Sequence, residues 1–446
     1  MANVIKLRKG LDIQLQGKAA ESRIVLSPNG RFALVPDDFE GVTPKVVVRE
    51  GDHVKAGDAL FINKVYPEVK FASPVSGVVT AVERGERRKV LCVKVEADKE
   101  QSYVDYGKRD VSKLDAKGVI DALLEAGLFG YIDQLPYAVS TNPTMMPKAI
   151  FVSALRDKPL ACDFEYEVKG QEHDFQTGLT ALSRIATTHL GVGVGSALTD
   201  MKDVETTIFD GPCPAGNVGV QVNHIDPVNK GEVVWTVEPT AVLFFGRLFN
   251  TGRVDLRRLV AFCGSEVKQP AHVEMLVGQE LQTLLANSID EARHTRIING
   301  NVLTGRPTTK DGYLGAHASE VTVIPEGDDA DEFAGWIMPR LNQFSTSRSY
   351  FSWLFGRKKY ALDARVKGGE RHIIMSGEYD RVLPMDIYGE YLIKAIIAGD
   401  IDRMEQLGIY EVSPEDFALA EFVDSSKLEL QRIVRQGLNN LRKENA

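Results

Sequence analysis

Residues 46–79 read VVVREGDHVKAGDALFINKVYPEVKFASPVSGVV. Short apolar alternations are cut by Gly51-Asp52 and by Gly57-Asp58, and Ser73-Pro74 with Gly77 closes the last of them. Glycine reaches positive φ without strain and aspartate bonds its own backbone, so Gly-Asp pairs make tight turns between strands. The stretch therefore predicts a compact set of short strands.

The phrase GDxVxxGDxL followed by SPxSGxV resembles the lipoyl/biotinyl-type barrel-sandwich fold. Carriers of that type hold a modified lysine on a hairpin tip. Lys64 and Lys70, in NKVYPEVK, lie near the expected tip. Neither has a methionine beside it, and Tyr66-Pro67 stiffens the turn. A structural barrel-sandwich is the favoured reading over a swinging arm, because a fold alone does not carry a function.

At 446 residues the chain is too long for a single core and predicts roughly three or four domains. A hydrophobic share of 43% and a charged share of 26% describe a globular protein. The net charge of −9 argues against a nucleic-acid groove, which needs a basic footprint. Cys92, Cys162, Cys213 and Cys263 form no CxxC pair, which excludes a cysteine-ligated cluster or zinc ribbon and fits a reducing compartment. The histidines show no HxH, HxxxH or HExxH spacing, so no metal and no catalytic residue is assigned. The longest apolar run, Ala241 to Phe245, has the length of a buried strand, far short of a membrane span. The opening MANVIKLRKGLDI lacks the apolar core of a signal peptide. The expectation is a cytoplasmic chain that meets a membrane only through partners.

Residues 1–100 read as all-β, with KLRKGLDIQL and RFALVPDDF as further strands. In 101–254 the period changes. SKLDAKGVIDALLEAG is a helix ended by Gly127, KAIFVSAL is a buried strand, QTGLTALSRIATTH a helix, and LGVGVGS and VETTIFDG are strands. That alternation predicts a Rossmann-like α/β domain. Residues 255–328 hold one short helix among strands, which predicts a small β-grasp (SLBB-like) domain. Residues 329–446 predict a helical domain without cysteine, with Ser413, Pro414 and Asp416 as a capping box. The fold class is thus multidomain α/β plus β.

Four stretches bear on chemistry. Gly191, Gly193 and Gly195 alternate in HLGVGVGS, but they follow a helix, and a dinucleotide fingerprint opens one. A glycine strand packed on a neighbouring backbone is expected. The loop 127–147 precedes the first parallel strand, where phosphate binding wants converging glycines; only Gly127 and Gly130 are present. Its aromatics Phe129, Tyr131 and Tyr137 are candidates to line an apolar ligand site. Cys213, between two prolines, has no basic neighbour and reads as passive. In 345–360, Tyr350, Phe351, Trp353 and Phe355 stand beside Arg348, Arg357, Lys358 and Lys359, which suits a membrane interface, a docking surface or an amphipathic core helix.

The domain order, with KGLDIQLQG (9–17), REGDHVKAGDALF, FASPVSGVV, RIINGNVLTGR (296–306), GEYDRVLPMDI (377–387) and PEDFALAEFVDSSK (414–427), resembles the A-subunit of the sodium-translocating NADH:quinone oxidoreductases (NQR). The layout is also similar to the flavin subunit of respiratory complex I and to the C-subunit of the Rnf complex. The resemblance implies a peripheral subunit on the cytoplasmic side of the bacterial inner membrane, partnered by the other NQR subunits and most of all by the membrane-embedded B-subunit. It implies a complex that oxidises NADH, reduces ubiquinone and moves sodium, with FMN, riboflavin, FAD and Fe–S on other subunits. The flavin-binding cousins have a glycine-rich loop where this chain reads GLFGYIDQLPY, and cluster cysteines where residues 329–446 have none. A chain without flavin or Fe–S of its own is implied, with Phe129, Tyr131 and Tyr137 beside a vacated, quinone-accepting cavity. The alternatives are a subunit that itself binds NADH or FMN, and a pure assembly scaffold.

Overall fold

The structure is a computed structural model and describes residues 3–328, 337–356 and 358–445. Arg357, one of the cations in the aromatic-basic stretch, lies outside the described residues, as does the start of the expected helical domain at 329–336.

The two Gly-Asp pairs of the opening stretch form the same turn twice. Asp52 Oδ2 accepts the Arg49 N–H and Asp58 Oδ2 accepts the Lys55 N–H, each at 2.7 Å, while Gly51 and Gly57 take φ of +90° and +103°. The turns connect a three-stranded antiparallel sheet (Pro44–Val46, Ala59–Asn63, Lys70–Ala72) with a four-stranded one (Arg31–Leu34, Val90–Ala97, Gly77–Arg84, His53–Val54). Leu60, Phe61, Val69, Phe71, Val79, Val93 and Val95 are fully buried between them. This is the barrel-sandwich. Lys64 is exposed on the hairpin between Ala59–Asn63 and Lys70–Ala72, and Tyr66 is half-buried beside it.

The segment before residue 26 serves other sheets. Asn3–Lys6 lies parallel to Glu205–Asp210 at the edge of a seven-stranded sheet, and Ala20–Val25 lies parallel to Ala271–Leu276 at the edge of a six-stranded one. Between them KLRKGLDIQL makes only an isolated bridge, Leu15 to Tyr360, and not the expected strand.

The seven-stranded sheet is mostly parallel and is covered by helices on both faces. Strand Ile150–Ser153 shows why: Ile150 and Val152 pack with helices Glu172–Ser183 and Pro239–Thr251, while Phe151 faces Val222 of helix Val218–Ile225. The Ala241–Phe245 run, expected to be a strand, sits inside helix Pro239–Thr251. Pro239 starts that helix, and it is buried on all sides, so its residues are apolar without the usual stripe. It crosses helix Glu172–Ser183 at glycines. A Cβ on Gly178 would stand 2.2 Å from the Val242 carbonyl oxygen, and one on Gly246 would stand 1.7 Å from that of Asp174.

The six-stranded sheet runs Arg306–Thr308, Thr295–Asn299, Glu320–Pro325, Arg257–Cys263, Ala271–Leu276 and Ala20–Val25, with the short helix Gln282–Leu285 against it. After Pro325 the described residues form helices and no strand, among them Gly389–Ala398, Ile401–Gln406, Ala418–Val423 and Leu430–Glu444. The Ser413 capping box forms, and the Asp416 carboxylate that completes it also faces Asn217 of the α/β domain at 3.3 Å.

Candidate functional site

In the seven-stranded sheet the chain runs outward from Ile150–Ser153 to Thr188–Gly193 and Glu205–Asp210, then returns to Val234–Val237 on the other side of Ile150–Ser153. Open parallel sheets bind ligands where strand order reverses, outside the carboxyl ends of the strands. A half-open cavity of about 410 Å³ lies at that point. Ser153 to Lys158 form one wall and Thr236 to Pro239 another; His317 and Glu320 from the six-stranded domain, and Glu415, Gln431 and Arg435 from the C-terminal helices, close the rest.

Its charges are fixed in place. Arg156 Nη1 meets Glu167 Oε2 at 2.8 Å and Nη2 donates to Thr240 Oγ1 at 2.6 Å, while the Thr240 hydroxyl donates to the same carboxylate. Burial is the largest single effect and works against the Arg156 charge, but Glu167 with Cys162, Glu320 and Glu238 together outweigh it, and the guanidinium is held above its ordinary value. The Glu238 carboxylate stands 3.7 Å from His317 Nδ1 and 3.5 Å from Arg258 Nη2. Burial would raise Glu238, yet His317, Arg258 and Arg156 together bring it down to about 2. Burial would lower His317; Glu238 first, then Asp133 and Asp38, raise it instead. Asp133 is pushed up by burial. The cavity thus presents an anchored guanidinium, an imidazole whose proton its acidic neighbours hold more tightly than usual, and a carboxyl, Asp133, whose ionisation burial opposes.

Arg435 closes the opposite rim. It donates to the carbonyls of Tyr137 and Ala138 at 2.8 and 2.9 Å. Those residues turn the hairpin between Ile132–Leu135 and Val139–Ser140 with φ of +85° and +47°, a region non-glycine residues seldom adopt.

The three aromatic candidates do not converge. Phe129 is fully buried, edge-on to Trp235 at 5.6 Å. Tyr131 is buried among Phe39, Phe244 and His317, with ring centroids 5.3–5.6 Å away. Tyr137 is half-buried on the hairpin, its hydroxyl accepting from Asn445. None lines the cavity, but Tyr131 packs against His317, which does. The loop glycines face the barrel-sandwich. A Cβ on Gly130 would stand 2.3 Å from the Phe71 ring, and one on Gly127 would stand 3.0 Å from the Ala72 nitrogen. Both give close packing to that strand.

Arg156 and Glu238 escape the sequence reading, although each follows a buried strand, Ile150–Ser153 and Val234–Val237, at its carboxyl end. His317 and Arg435 carry no sequence signal; the tertiary fold brings them in. Gly191 is held by a side chain and not by a backbone: a Cβ there would stand 1.9 Å from Gln221 Oε1, whose amide donates to Ser153 Oγ. Burial, then Asp157, push the Cys213 thiol up, so it stays protonated. Among the described residues no group of His, Cys, Asp and Glu has the makings of a metal site, and no helix is long and apolar enough to cross a membrane.

Three family models match the chain: the NqrA N-terminal barrel-sandwich hybrid domain over residues 5–98, the NqrA second alpha/beta domain over 114–254, and the NQRA C-terminal domain over 259–310. The A-subunit of the Na(+)-translocating NADH-quinone reductase of Haemophilus influenzae (strain PittGG) is 36% identical, over 99% of this chain and 100% of its own length. That of Yersinia pestis bv. Antiqua (strain Angola) is 34% identical over the same shares. An NAD+-reducing [NiFe]-hydrogenase crystal structure in the H2-reduced state aligns with 77% of this chain and 67% of its own at 11% identity, with a TM-score of 0.35. Matching A-subunit relatives end to end, with three NqrA domain models in order, the chain belongs to the NqrA family, the A-subunits of the Na(+)-translocating NADH-quinone reductase, an oxidoreductase complex.

Proposed function

We propose that this chain is the peripheral, cytoplasmic-side subunit of a sodium-translocating NADH:quinone reductase, docked on its membrane subunits, with the B-subunit first among them. It carries no flavin or Fe–S of its own, and its switch-point cavity receives the head of a quinone. The observation that carries the reading is the cavity ringed by Arg156, Glu238, His317 and Arg435. Quinone carbonyls accept hydrogen bonds, and reduction takes up two electrons and two protons. Arg156 supplies fixed donors, and His317 beside Glu238 holds a proton at the rim. Tyr131 packs against His317 of this wall, Phe129 lies deeper against Trp235, and Arg435 at the rim donates to the Tyr137 carbonyl. The packing of Gly127 and Gly130 against Ala72 and Phe71 supports a chain without FMN, since a phosphate loop needs its glycine amides free.

Photo-crosslinking of an azido-quinone in the assembled complex tests this. Saturable labelling within residues 153–158, 236–239 or 431–435, competed by ubiquinone, is the expected result. Absence of competable labelling anywhere on this chain overturns the quinone reading and leaves a scaffold. A second reading rests on the same topology, since switch points of open α/β sheets also take nucleotides. Calorimetric titration of the purified chain with NADH and FMN separates the two: micromolar binding of either selects the nucleotide.

A further inference from the structure

The chain carries a net charge of −9, yet residues 337–360 contain five basic residues and no acidic one. The stretch folds back on itself. The Phe351 N–H bonds the Pro339 carbonyl at 3.2 Å, and Lys358 Nζ bonds the Leu341 carbonyl and Asn342 Oδ1 at 2.8 and 2.6 Å. Its base is anchored. Ser352 and Tyr360 are buried, Tyr360 exchanges backbone bonds with Gln14 and Gln16, and Phe344 packs edge-on to its ring at 5.6 Å.

The tip is different. Phe351, Trp353, Leu354 and Phe355 are 57%, 45%, 61% and 50% exposed, around a short 3-10 turn. Cations lie on the rings: Arg348 is 5.3 Å from the Trp353 centroid and Lys358 is 5.7 Å from that of Phe355. Lys359 is exposed beside them. Adjacent apolar side chains left in water on an anchored loop mark an interaction site. Protein–protein interfaces also favour aromatic rings and arginine but are depleted in lysine, and this tip carries the adjacent Lys358 and Lys359; aromatic rings with lysine and arginine are the composition of the membrane–water boundary. The sign of the charge, opposite to that of the whole chain, selects an anionic surface.

We propose that this loop seats its rings in the headgroup region of an anionic lipid bilayer, with Lys359, Lys358 and Arg348 over the phosphates. It gives the chain a lipid contact of its own, beyond docking through partner proteins, and does not depend on the quinone reading.

The test is flotation of the full chain with vesicles of phosphatidylcholine alone and of phosphatidylcholine with phosphatidylglycerol in equal parts, at low and high salt. Binding to the anionic vesicles only, weakened by salt, is expected. Lys359→Glu should weaken it about tenfold, and Trp353→Ser with Phe355→Ser should do so at least as strongly. These side chains are exposed, and unchanged thermal denaturation confirms that each variant folds. Equal binding to both vesicles, no binding to either, or folded variants that bind like the parent overturns the proposal. So does a self-association that these substitutions abolish while vesicles go unbound, which assigns the face to a protein partner.

Discussion

Gly130 shows how one side chain that is absent joins two domains. Its φ does not demand glycine; the Phe71 ring does, because any Cβ would stand 2.3 Å from it. Gly130→Ala should cost about 1–3 kcal/mol by overpacking, measured by urea denaturation. Combining it with Phe71→Leu should cost less than the two changes summed, since the smaller side chain frees the space. Additivity would show that the loop and the ring do not meet. His317 and Glu238 make a second junction, and their titrations have opposite signs. Glu238 is lowered from 4.5 to about 2, so its stabilisation is present above pH 4.5 and is lost as pH falls towards 2. His317 is raised above 6.5, so its stabilisation is full below 6.5 and is lost as pH rises through the raised value. Stability contributed by the pair is greatest between those limits. His317→Gln should flatten the fall in stability above pH 6.5, read from urea midpoints across the neutral and alkaline range. An unchanged slope would remove His317 from the account.

Among the elements, helix Leu430–Glu444 holds the hairpin that borders the cavity. Arg435 satisfies two carbonyls on residues with positive φ, and it is itself buried enough to be pushed below its ordinary value. Arg435→Ala should cost about 2–3 kcal/mol and loosen the hairpin, seen as faster amide exchange at Val139, which pairs with Gln134, and at Thr141, whose N–H donates to the Ile132 carbonyl at 2.9 Å. The hairpin bearing Lys64 and Lys70 calls for the opposite expectation. Lys64→Arg and Lys70→Arg should leave activity of the assembled complex intact; a large loss with normal assembly would bring back a carrier arm. Much of this set of elements is legible in the sequence, because it rests on local chemistry. The repeated Gly-Asp turns, the capping box at Ser413 and the helix ended by Gly127 are each decided within a few residues. Ala241–Phe245 departs from its expectation because a buried strand and a helix buried all round share one pattern. The cavity is legible only as topology. Arg156 and Glu238 follow strands, but nothing local tells that those strands are neighbours, and His317 and Arg435 arrive from remote segments.

At the scale of the molecule, the barrel-sandwich is built into its neighbour and is not a module hung beside it. One buried cluster runs from Phe32 through Phe61 and Phe71 to Phe129, Trp235 and Phe249. Phe39 sits at the join, 4.4 Å from Phe71 and 5.3 Å from Tyr131 by ring centroids. The N-terminal segment tightens the link, since Asn3–Lys6 and Ala20–Val25 each complete a sheet of another domain. Residues 1–100 taken alone would therefore expose Phe39 and Phe71, lose both strand partners and keep only the short strands of the sandwich. Apolar burial on that scale is worth roughly 1.5–3 kcal/mol per large side chain, a sizeable part of the stability of a domain this small. Expressed by itself, the fragment should bind a hydrophobic dye and self-associate, whereas residues 1–254 should do so far less. Native-state hydrogen exchange on the full chain gives the complementary measurement. Peptides from Leu60–Val79 and from Phe129–Leu135 should open with the same free energy, because opening either exposes the shared aromatic core. A monomeric, well-dispersed fragment 1–100, or separate opening of the two regions, would mean that the aromatic join contributes little and that the barrel-sandwich folds independently.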